Sequence, residues 1–288
     1  MKKIIIFVLI AFILVSSIEL FENDSMEDIN ITTSVYPINF ITKTLYGNHS
    51  TVTNIYPDET YFNNYSLSDK QITDFSKSKL FIFNGLGKEQ SYAIDMIEQN
   101  KNLLIIDASL GMELNKTIEE TWFNPNNFLM LASNIKNGLI EYIVSPVLVD
   151  EINSNYNNLK IKISALEAKF YETKNDAPNN IIVTNHKMFE FLEKYGFKVI
   201  TIDDSIKETD KKIEDVRQLI ENKTIKTIFL KDDSKINNNI KNLIEGTKVS
   251  TTKLNSLSTL SKEEIDNKAN YFTIMENNLN LIKTSLYN

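Results

Sequence analysis

The chain has 288 residues, of which 42% are hydrophobic and 24% are charged, and its formal net charge is −7 at pH 7. This composition predicts a globular protein of one or two domains and excludes a disordered or fibrous chain. The acidic balance argues against a nucleic-acid partner, which needs a basic face. Because the sequence has no cysteine, it excludes disulfides, thiolate metal ligands and cysteine nucleophiles.

The N-terminus has the order of a secretory signal. Two lysines precede an apolar run from Ile4 to Val15, and two small serines follow it. This order predicts export, with residues 1–17 as a signal peptide that is cleaved before Ile18. An uncleaved anchor is the alternative, although the run is shorter than the roughly 20 apolar residues of a spanning helix. Both interpretations place the body of the protein outside the cytoplasm, in the periplasm or at the cell surface.

Residues 18–29 form a polar lead-in, after which strand and helix patterns alternate. The stretches INITTSVYPI, STVTNIY, KLFIFNGLG and NLLIIDAS have the apolar and β-branched composition of buried strands. Three segments with helical spacing separate them, namely FITKTLYG, SDKQITDFSKS and SYAIDMIEQN. This βαβαβαβ order predicts a parallel sheet with helices on its faces, within an N-terminal lobe over residues 30–145.

Two longer helical segments come next. The stretch NPNNFLMLASNIKNGLIEYI is amphipathic and has Pro125 near its first turn. The following segment begins at Pro146 and repeats apolar residues every three or four positions as far as Phe170. It predicts one linking helix over residues 146–175, which is long for a globular protein.

A second alternating series occupies residues 176–288. Strand patterns in IIV, KVITI, TIKTIFL and KVSTTKLN alternate with helical patterns, the first of which is KMFEFLEKYG. The stretch KANYFTIMENNLNLIKTSL predicts a terminal helix. The predicted fold class is therefore α/β, with two parallel-sheet lobes bridged by one long α-helix.

Two such lobes behind a signal peptide resemble the solute-binding proteins of zinc- and manganese-type ABC transporters. The resemblance covers nearly all of the mature chain and rests on landmarks in the same order: TTSVYPINFITKTLYG, DKQITDFSKSKLFIFNGLGKEQ, DAS at 107–109, TWFNPNNF at 121–128, VTNHKMFEFLEKYGF and YFTIMENNLNLI. It implies a ligand cleft between the lobes and delivery of the ligand to a membrane permease.

In that family, one divalent ion is held by four side chains, usually His, with Glu or Asp at the later positions. The resemblance places Asn63, Glu120, Asn185 and Asn255 at these four positions. Only Glu120 keeps a family ligand type. Three carboxamides and one carboxylate form an oxygen-only set that does not balance the charge of Zn²⁺ or Mn²⁺, so these residues predict a weak site or none.

His186, which follows Asn185, is the alternative third ligand. A register shift of one residue brings its imidazole into the site, whereas the spacing to Tyr195-Gly196 favours Asn185. The other interpretation of His186 is a partly exposed imidazole on a first helical turn. Neighbouring acids are further candidates to replace lost ligands, and the two aspartate pairs that follow predicted strands, Asp203-Asp204 and Asp232-Asp233, also suit helix N-caps. The neighbouring acids are Asp58, Glu59, Asp203, Asp204, Asp232 and Asp233.

Two functions follow from these patterns. The first is a monomeric, extracytoplasmic solute-binding protein that delivers a divalent metal to an ABC permease. The second keeps the fold with a degenerate metal site, and binds another small solute or acts as a surface adhesin or interaction protein. An enzyme is not expected, because the sequence lacks G-x-S-x-G, phosphate-loop and H-E-x-x-H motifs. Trp122, two residues after Glu120, is expected to report ligand entry by fluorescence.

Overall fold

The computed structural model describes residues 26–114 and 116–287. The signal peptide predicted for residues 1–17, its cleavage, and residues 18–25 of the polar lead-in lie outside the described residues. Within the described ranges, no helix has both the length and the hydropathy of a membrane span.

The N-terminal sheet has four parallel strands in the order β2-β1-β3-β4. The strands are β1 (Ile29–Thr33), β2 (Ser50–Asn54), β3 (Leu80–Phe83) and β4 (Leu104–Asp107). The connecting helices are α1 (Tyr36–Tyr46), α2 (Asp69–Phe75) and α3 (Glu89–Gln99), with a short 3₁₀ helix at Phe62–Asn64 before α2. Strand β3 is buried at all four positions, as expected for a strand that is covered on both faces of a parallel sheet.

In the described part of the connection between the two sheets there are three helices. They are α4 (Glu120–Phe123), α5 (Pro125–Tyr142) and α6 (Pro146–Asp176). Helices α5 and α6 each begin with a proline in the first turn and a side-chain cap, from Asn124 and Ser145 respectively. The 31 residues of α6 bury one apolar stripe, and α6 packs against α1 and α5.

The second sheet repeats the topology of the first, with parallel strands in the order β6-β5-β7-β8. The strands are β5 (Ile181–Thr184), β6 (Lys198–Thr201), β7 (Thr227–Lys231) and β8 (Ser250–Leu254). The helices are α7 (Lys211–Glu221), α8 (Asn238–Ile244), α9 (Lys262–Asp266) and α10 (Tyr271–Tyr287). The segment after β5, predicted as a helix, is a nine-residue 3₁₀ helix at Lys187–Tyr195 that ends at Gly196 in the left-handed region.

These two parallel sheets confirm the predicted α/β fold class. The two lobes do not have fully separate cores, however, as two lobes joined by one helix would. One apolar cluster extends from the first sheet through α6 and the 3₁₀ helix Lys187–Tyr195 to α10. A smaller cluster is confined to the second lobe. Tyr271 of α10 stacks on Phe128 of α5 with ring centroids 3.9 Å apart. The last helix of the chain therefore packs on the first lobe.

Candidate interlobe binding site

A buried ion pair joins the two lobes. Glu119 immediately precedes α4 in the first lobe, and Lys231 is the last residue of β7 in the second. Nζ of Lys231 lies 2.6 Å from Oε1 of Glu119 and 3.2 Å from Oδ2 of Asp233. The side chains of Lys231 and Glu119 are only 4% and 3% exposed. The ammonium is thus enclosed between carboxylates from opposite lobes.

Backbone contacts hold Lys231 at the carboxyl end of its strand. Its N–H donates to Oδ1 of Asn185, 2.9 Å away, and it pairs in register with Leu254 of β8. The N–H of Asn185 donates in turn to the carbonyl of Phe229, 3.1 Å away. Strands β5 and β7 are neighbours at the point where the strand order reverses, which is where open α/β sheets bind ligands.

Burial and charge act in opposite directions on the ion pair. Burial alone lowers the pKa of Lys231, but the charges and hydrogen bonds of Glu119 and Asp233 raise that pKa above the ordinary lysine value. Burial raises the pKa of Glu119, and the ammonium of Lys231 lowers it below the ordinary glutamate value. Both partners are therefore ionised at neutral pH.

His186 lies close to this pair and caps the 3₁₀ helix that follows it. Its Nδ1 accepts a hydrogen bond from the N–H of Met188 at 3.3 Å. Burial and the charge of Lys231 hold the pKa of His186 below its usual value, against the opposite effect of Glu119 and other carboxylates nearby. The imidazole is therefore neutral at pH 7, and one of its two nitrogens is engaged in the cap.

An open cavity of about 640 Å³ lies at the carboxyl ends of β5, β6 and β7. Its lining includes Asn185, His186, Asp203 and Asp204 from the second lobe and Thr117 from the first. Oγ1 of Thr117 is buried, and no residue of the described ranges forms a hydrogen bond with it. The cavity therefore combines carboxylate, amide and imidazole groups with an unused hydroxyl from the opposite lobe.

Asn63 and Glu120, two of the family-matched positions, have different surroundings. Asn63 is exposed in the short 3₁₀ helix that precedes α2. Burial raises the pKa of Glu120. The charge of Lys116 lowers this pKa and the charge of Glu190 raises it, and the net shift is upward. Oε2 of Glu120 is buried without a hydrogen-bond partner in the described part of the chain. Glu119, one residue earlier, is the carboxylate that reaches the opposite lobe.

The other two matched positions line separate cavities. Asn185 lines the 640 Å³ cavity, whereas Asn255 lines one of about 330 Å³ that also includes Asp232 and Glu264. Nδ2 of Asn255 donates to Oε1 of Glu264 at 2.6 Å, and the backbone of Asn255 bonds with the side chain of Asn278. These contacts engage the Asn255 amide in the fold. Its role as a ligand, like that of the other three positions, stays a prediction.

Within residues 26–114 and 116–287, no three His, Asp or Glu side chains are grouped so that they could hold a metal ion. Two of the neighbouring aspartates accept hydrogen bonds from backbone N–H groups of the second lobe. Asp203 Oδ1 accepts from the N–H of Ser205 at 2.9 Å, and Asp232 Oδ2 accepts from the N–H of Ser256 at 3.1 Å. The donors that are present therefore do not form the His-rich set that binds zinc tightly.

Neither Glu119 nor Lys231 is among the residues that the sequence singled out. Glu119 and Glu120 are adjacent acids, and the family register selects the second of them. The signal for Lys231 is its position at the end of the apolar strand TIFLK. A lysine in a buried strand requires a charged partner, because an unpaired buried ammonium is very costly.

Trp122 is part of the interlobe core. It is fully buried, its Nε1 donates to the carbonyl of Ser256 at 3.0 Å, and its own carbonyl accepts from the hydroxyl of Tyr271 at 2.9 Å. The next residue, Phe123, meets Phe189 of the second lobe edge-on at 5.6 Å. The use of Trp122 as a fluorescent reporter of ligand entry stays a prediction.

Two parallel α/β lobes with a polar cavity at the reversal of strand order are typical of two-lobed solute-binding proteins. The structure resembles that of the Zn(II)-bound ZnuA-like domain of Streptococcus pneumoniae AdcA, with a TM-score of 0.73 and 21% sequence identity. This likeness covers 91% of this chain and 100% of the other, and it shows a common fold.

The chain belongs to the family described as zinc-uptake complex component A, periplasmic (ZnuA), whose model matches residues 31–285. It is 23% identical to the high-affinity zinc uptake system protein ZnuA of Bacillus subtilis, over 91% of this chain and 89% of that protein. It is 22% identical to the zinc-binding protein AdcA of Streptococcus pyogenes serotype M18, over 88% of this chain. The match covers 55% of AdcA, so the chain spans about half the length of that relative. The resemblance to zinc-type solute-binding proteins is confirmed.

Proposed function

We propose that the protein is the extracytoplasmic solute-binding component of an ABC uptake system and presents its cargo to a membrane permease. Membership of the zinc-uptake family over residues 31–285 carries this proposal. A protein of this class binds and releases a solute without changing it, so we assign no catalytic role to any residue. We expect a monomer, either released by cleavage after residue 17 or tethered by an uncleaved N-terminal segment.

The cavity at the carboxyl ends of β5, β6 and β7 is the proposed cargo site. A solute there meets loops of the second lobe on one side and Thr117 of the first lobe on the other. The first candidate cargo is a divalent ion, and the sequence similarity to zinc-binding and zinc-uptake proteins favours zinc. In the cavity, the free nitrogen of His186 and the carboxylate of Asp203 are the donors best suited to such an ion.

The second candidate cargo is a small polar organic solute. The volume of about 640 Å³ is within the usual range of small-molecule sites and exceeds what one ion needs. The lining carries acidic, amide, hydroxyl and lysine groups, which suit a solute with both donors and acceptors. The lack of a three-ligand metal cluster in the described residues favours this candidate.

The way in which cargo is signalled to the permease follows from the shared core. Because one apolar cluster and a buried ion pair connect the lobes, a wide hinge motion would expose apolar surface and separate buried charges. We therefore propose that cargo orders the loops after β5, β6 and β7, with little lobe movement. The permease would distinguish loaded from empty protein by these loops.

The cargo can be identified in protein purified from its native host by elemental analysis and by mass spectrometry of the denatured sample. One equivalent of zinc per chain supports the ion, and a released organic molecule supports the second candidate. A strain that lacks the protein should lose uptake of whichever cargo is found. Unchanged uptake in that strain would contradict the proposed transport function.

The two histidines of the chain provide a matched pair of variants for the cavity. His186→Ala removes a lining imidazole and should weaken cargo binding roughly tenfold, the equivalent of one lost hydrogen bond or ligand. His49→Ala should leave cargo binding unchanged, because His49 pairs with Glu151 at 2.9 Å on the surface of the first lobe. Equal effects of the two substitutions in a dialysis assay would argue against the cavity as the cargo site.

A further inference from the structure

The contact between Lys231 and Glu119 differs in kind from the surface ion pairs. Lys169 and Glu276, for example, lie 2.7 Å apart with both side chains more than 40% exposed. Such a pair remains in contact with water, whereas Lys231 and Glu119 are almost completely enclosed. Removing two charges from water is unfavourable unless their geometry is good, so this pair is a specific feature of the interlobe contact.

The ammonium of Lys231 contacts the carboxylate oxygens to which a bound cation would coordinate. Nζ of Lys231 lies 2.6 Å from Oε1 of Glu119 and 3.2 Å from Oδ2 of Asp233. A divalent ion contacts carboxylate oxygens at about 2.0–2.6 Å. An ion bound to these two oxygens would therefore lie against the ammonium, and the two positive charges would repel each other.

The backbone and the burial of Glu119 also hold the ammonium of Lys231 in this contact. The N–H of Lys231 is bonded to Asn185, and its strand is paired on both sides, by β5 and β8. Rotation of the side chain toward solvent would leave Glu119 buried as an unpaired charge, which is strongly unfavourable. The positive charge is thus a permanent part of the site.

We propose that Lys231 determines the ion specificity of the interlobe contact: its ammonium supplies the positive charge that joins Glu119 to Asp233, and it excludes divalent ions from these carboxylates. The lobes are then joined at this point with or without cargo. An ion carried as cargo binds on the His186 side of the cavity instead. The biological role of this exclusion rests on the proposed solute-binding function. The exclusion of divalent ions from Glu119 and Asp233 is itself a property that can be measured on the purified chain.

The test compares the full chain with Lys231→Ala, with the double variant Lys231→Ala/Glu119→Gln, and with Lys169→Ala as the surface control. Mn²⁺ is the probe, because carboxylates suit it, and binding is measured by equilibrium dialysis and by the melting temperature with and without the ion. Lys231→Ala should melt at a lower temperature in chelator, recover with Mn²⁺, and bind Mn²⁺ roughly tenfold or more tightly than the unchanged chain. The double variant should lose this gain, and Lys169→Ala should behave as the unchanged chain.

Two results would overturn the proposal. One is a folded Lys231→Ala protein that binds Mn²⁺ no more tightly than the unchanged chain. The other is tight Mn²⁺ or Zn²⁺ binding by the unchanged chain that is abolished in the single variant Glu119→Gln, which is measured alongside. If Lys231→Ala does not fold, Lys231→Gln takes its place, since it removes the charge and keeps a hydrogen-bond donor for Glu119. Failure here leaves the transport function standing, because that function is tested by native cargo and by the deletion strain.

Discussion

Three carboxylates of the first lobe show how strongly the local environment decides the role of a residue. Glu119 has an ammonium partner from the opposite lobe, whereas the neighbouring Glu120 has a buried Oε2 with no partner in the described residues. Glu89 is buried and accepts a hydrogen bond from the hydroxyl of Tyr56 at 2.7 Å. Burial raises the pKa of Glu120 and Glu89, whereas Lys231 lowers the pKa of Glu119.

Glu119→Gln and Glu120→Gln should therefore differ in their effect on the free energy of unfolding. Glu119→Gln removes one partner of a buried pair and should lower the free energy of unfolding by about 3–5 kcal/mol. Glu120→Gln removes a disfavoured charge and should leave the free energy of unfolding unchanged or slightly higher. Urea unfolding at pH 7 measures both. Equal losses in the two variants would contradict the assignment of Glu119 as the interlobe carboxylate.

The pKa of Glu89 predicts a pH dependence of stability. A carboxyl group whose pKa is higher in the folded than in the unfolded state contributes its full stabilisation below the unfolded pKa, and this is lost as the pH rises through the folded pKa. Glu89→Gln keeps an acceptor for Tyr56 and cannot ionise. It should therefore be more stable than the unchanged chain at pH 7 and show a flatter dependence on pH.

The matched control for this prediction lies on the same helix. Glu98 is exposed on α3, so Glu98→Gln should leave the pH dependence as it is in the unchanged chain. Unfolding free energies measured across the acid-to-neutral range compare the three proteins. If the unfolding free energy of Glu89→Gln depends on pH in the same way as that of the unchanged chain, the buried carboxyl of Glu89 is not the source of that pH dependence.

Among the elements, helix α6 shows how a sequence pattern becomes a structural role. Most of its predicted apolar stripe is buried, from Ile152 to Phe170, and the same apolar cluster includes side chains of the first lobe, the 3₁₀ helix Lys187–Tyr195 and α10. A 31-residue helix that was exposed all round would gain little stability from propensity alone. The stripe therefore explains why the helix continues unbroken between the two sheets.

Leu159 and Ile161 on α6 test this explanation directly. Leu159 is 1% exposed and Ile161 is 67% exposed, although only one residue separates them. Leu159→Ala should lower the free energy of unfolding by about 2–5 kcal/mol, because it leaves a cavity in the shared core. Ile161→Ala should change it by about 0.5 kcal/mol or less. Urea unfolding of the two variants provides the comparison, and similar losses would refute the assigned helix face.

For the molecule as a whole, the main feature is an apolar core that the two lobes share. The larger apolar cluster contains residues from both sheets, and α10 places Tyr271 against α5 of the first lobe. Trp122 adds a buried hydrogen bond from the first lobe to Ser256 of the second. Unfolding of either lobe alone would expose much of this core.

We therefore expect a single unfolding transition. Calorimetry should show one peak with equal calorimetric and van't Hoff enthalpies, and the fluorescence of Trp122 should change together with the far-UV circular dichroism. A chain with two independent lobes would show two peaks, or a fluorescence transition that precedes the loss of helix signal. Either result would contradict the shared core.

The sequence by itself determined the order of the elements, the long helix and the membership of a two-lobed α/β class, because apolar periodicity and helix caps are local properties of the chain. The expectation that the matched ligand types are poor for zinc also comes from the sequence, since it depends only on residue chemistry, and it stays a prediction. Only the tertiary structure decided that Glu119 rather than Glu120 meets Lys231, and that α10 packs on the first lobe. These contacts join residues more than a hundred positions apart, and the direction of a side chain at such a contact depends on how whole elements pack.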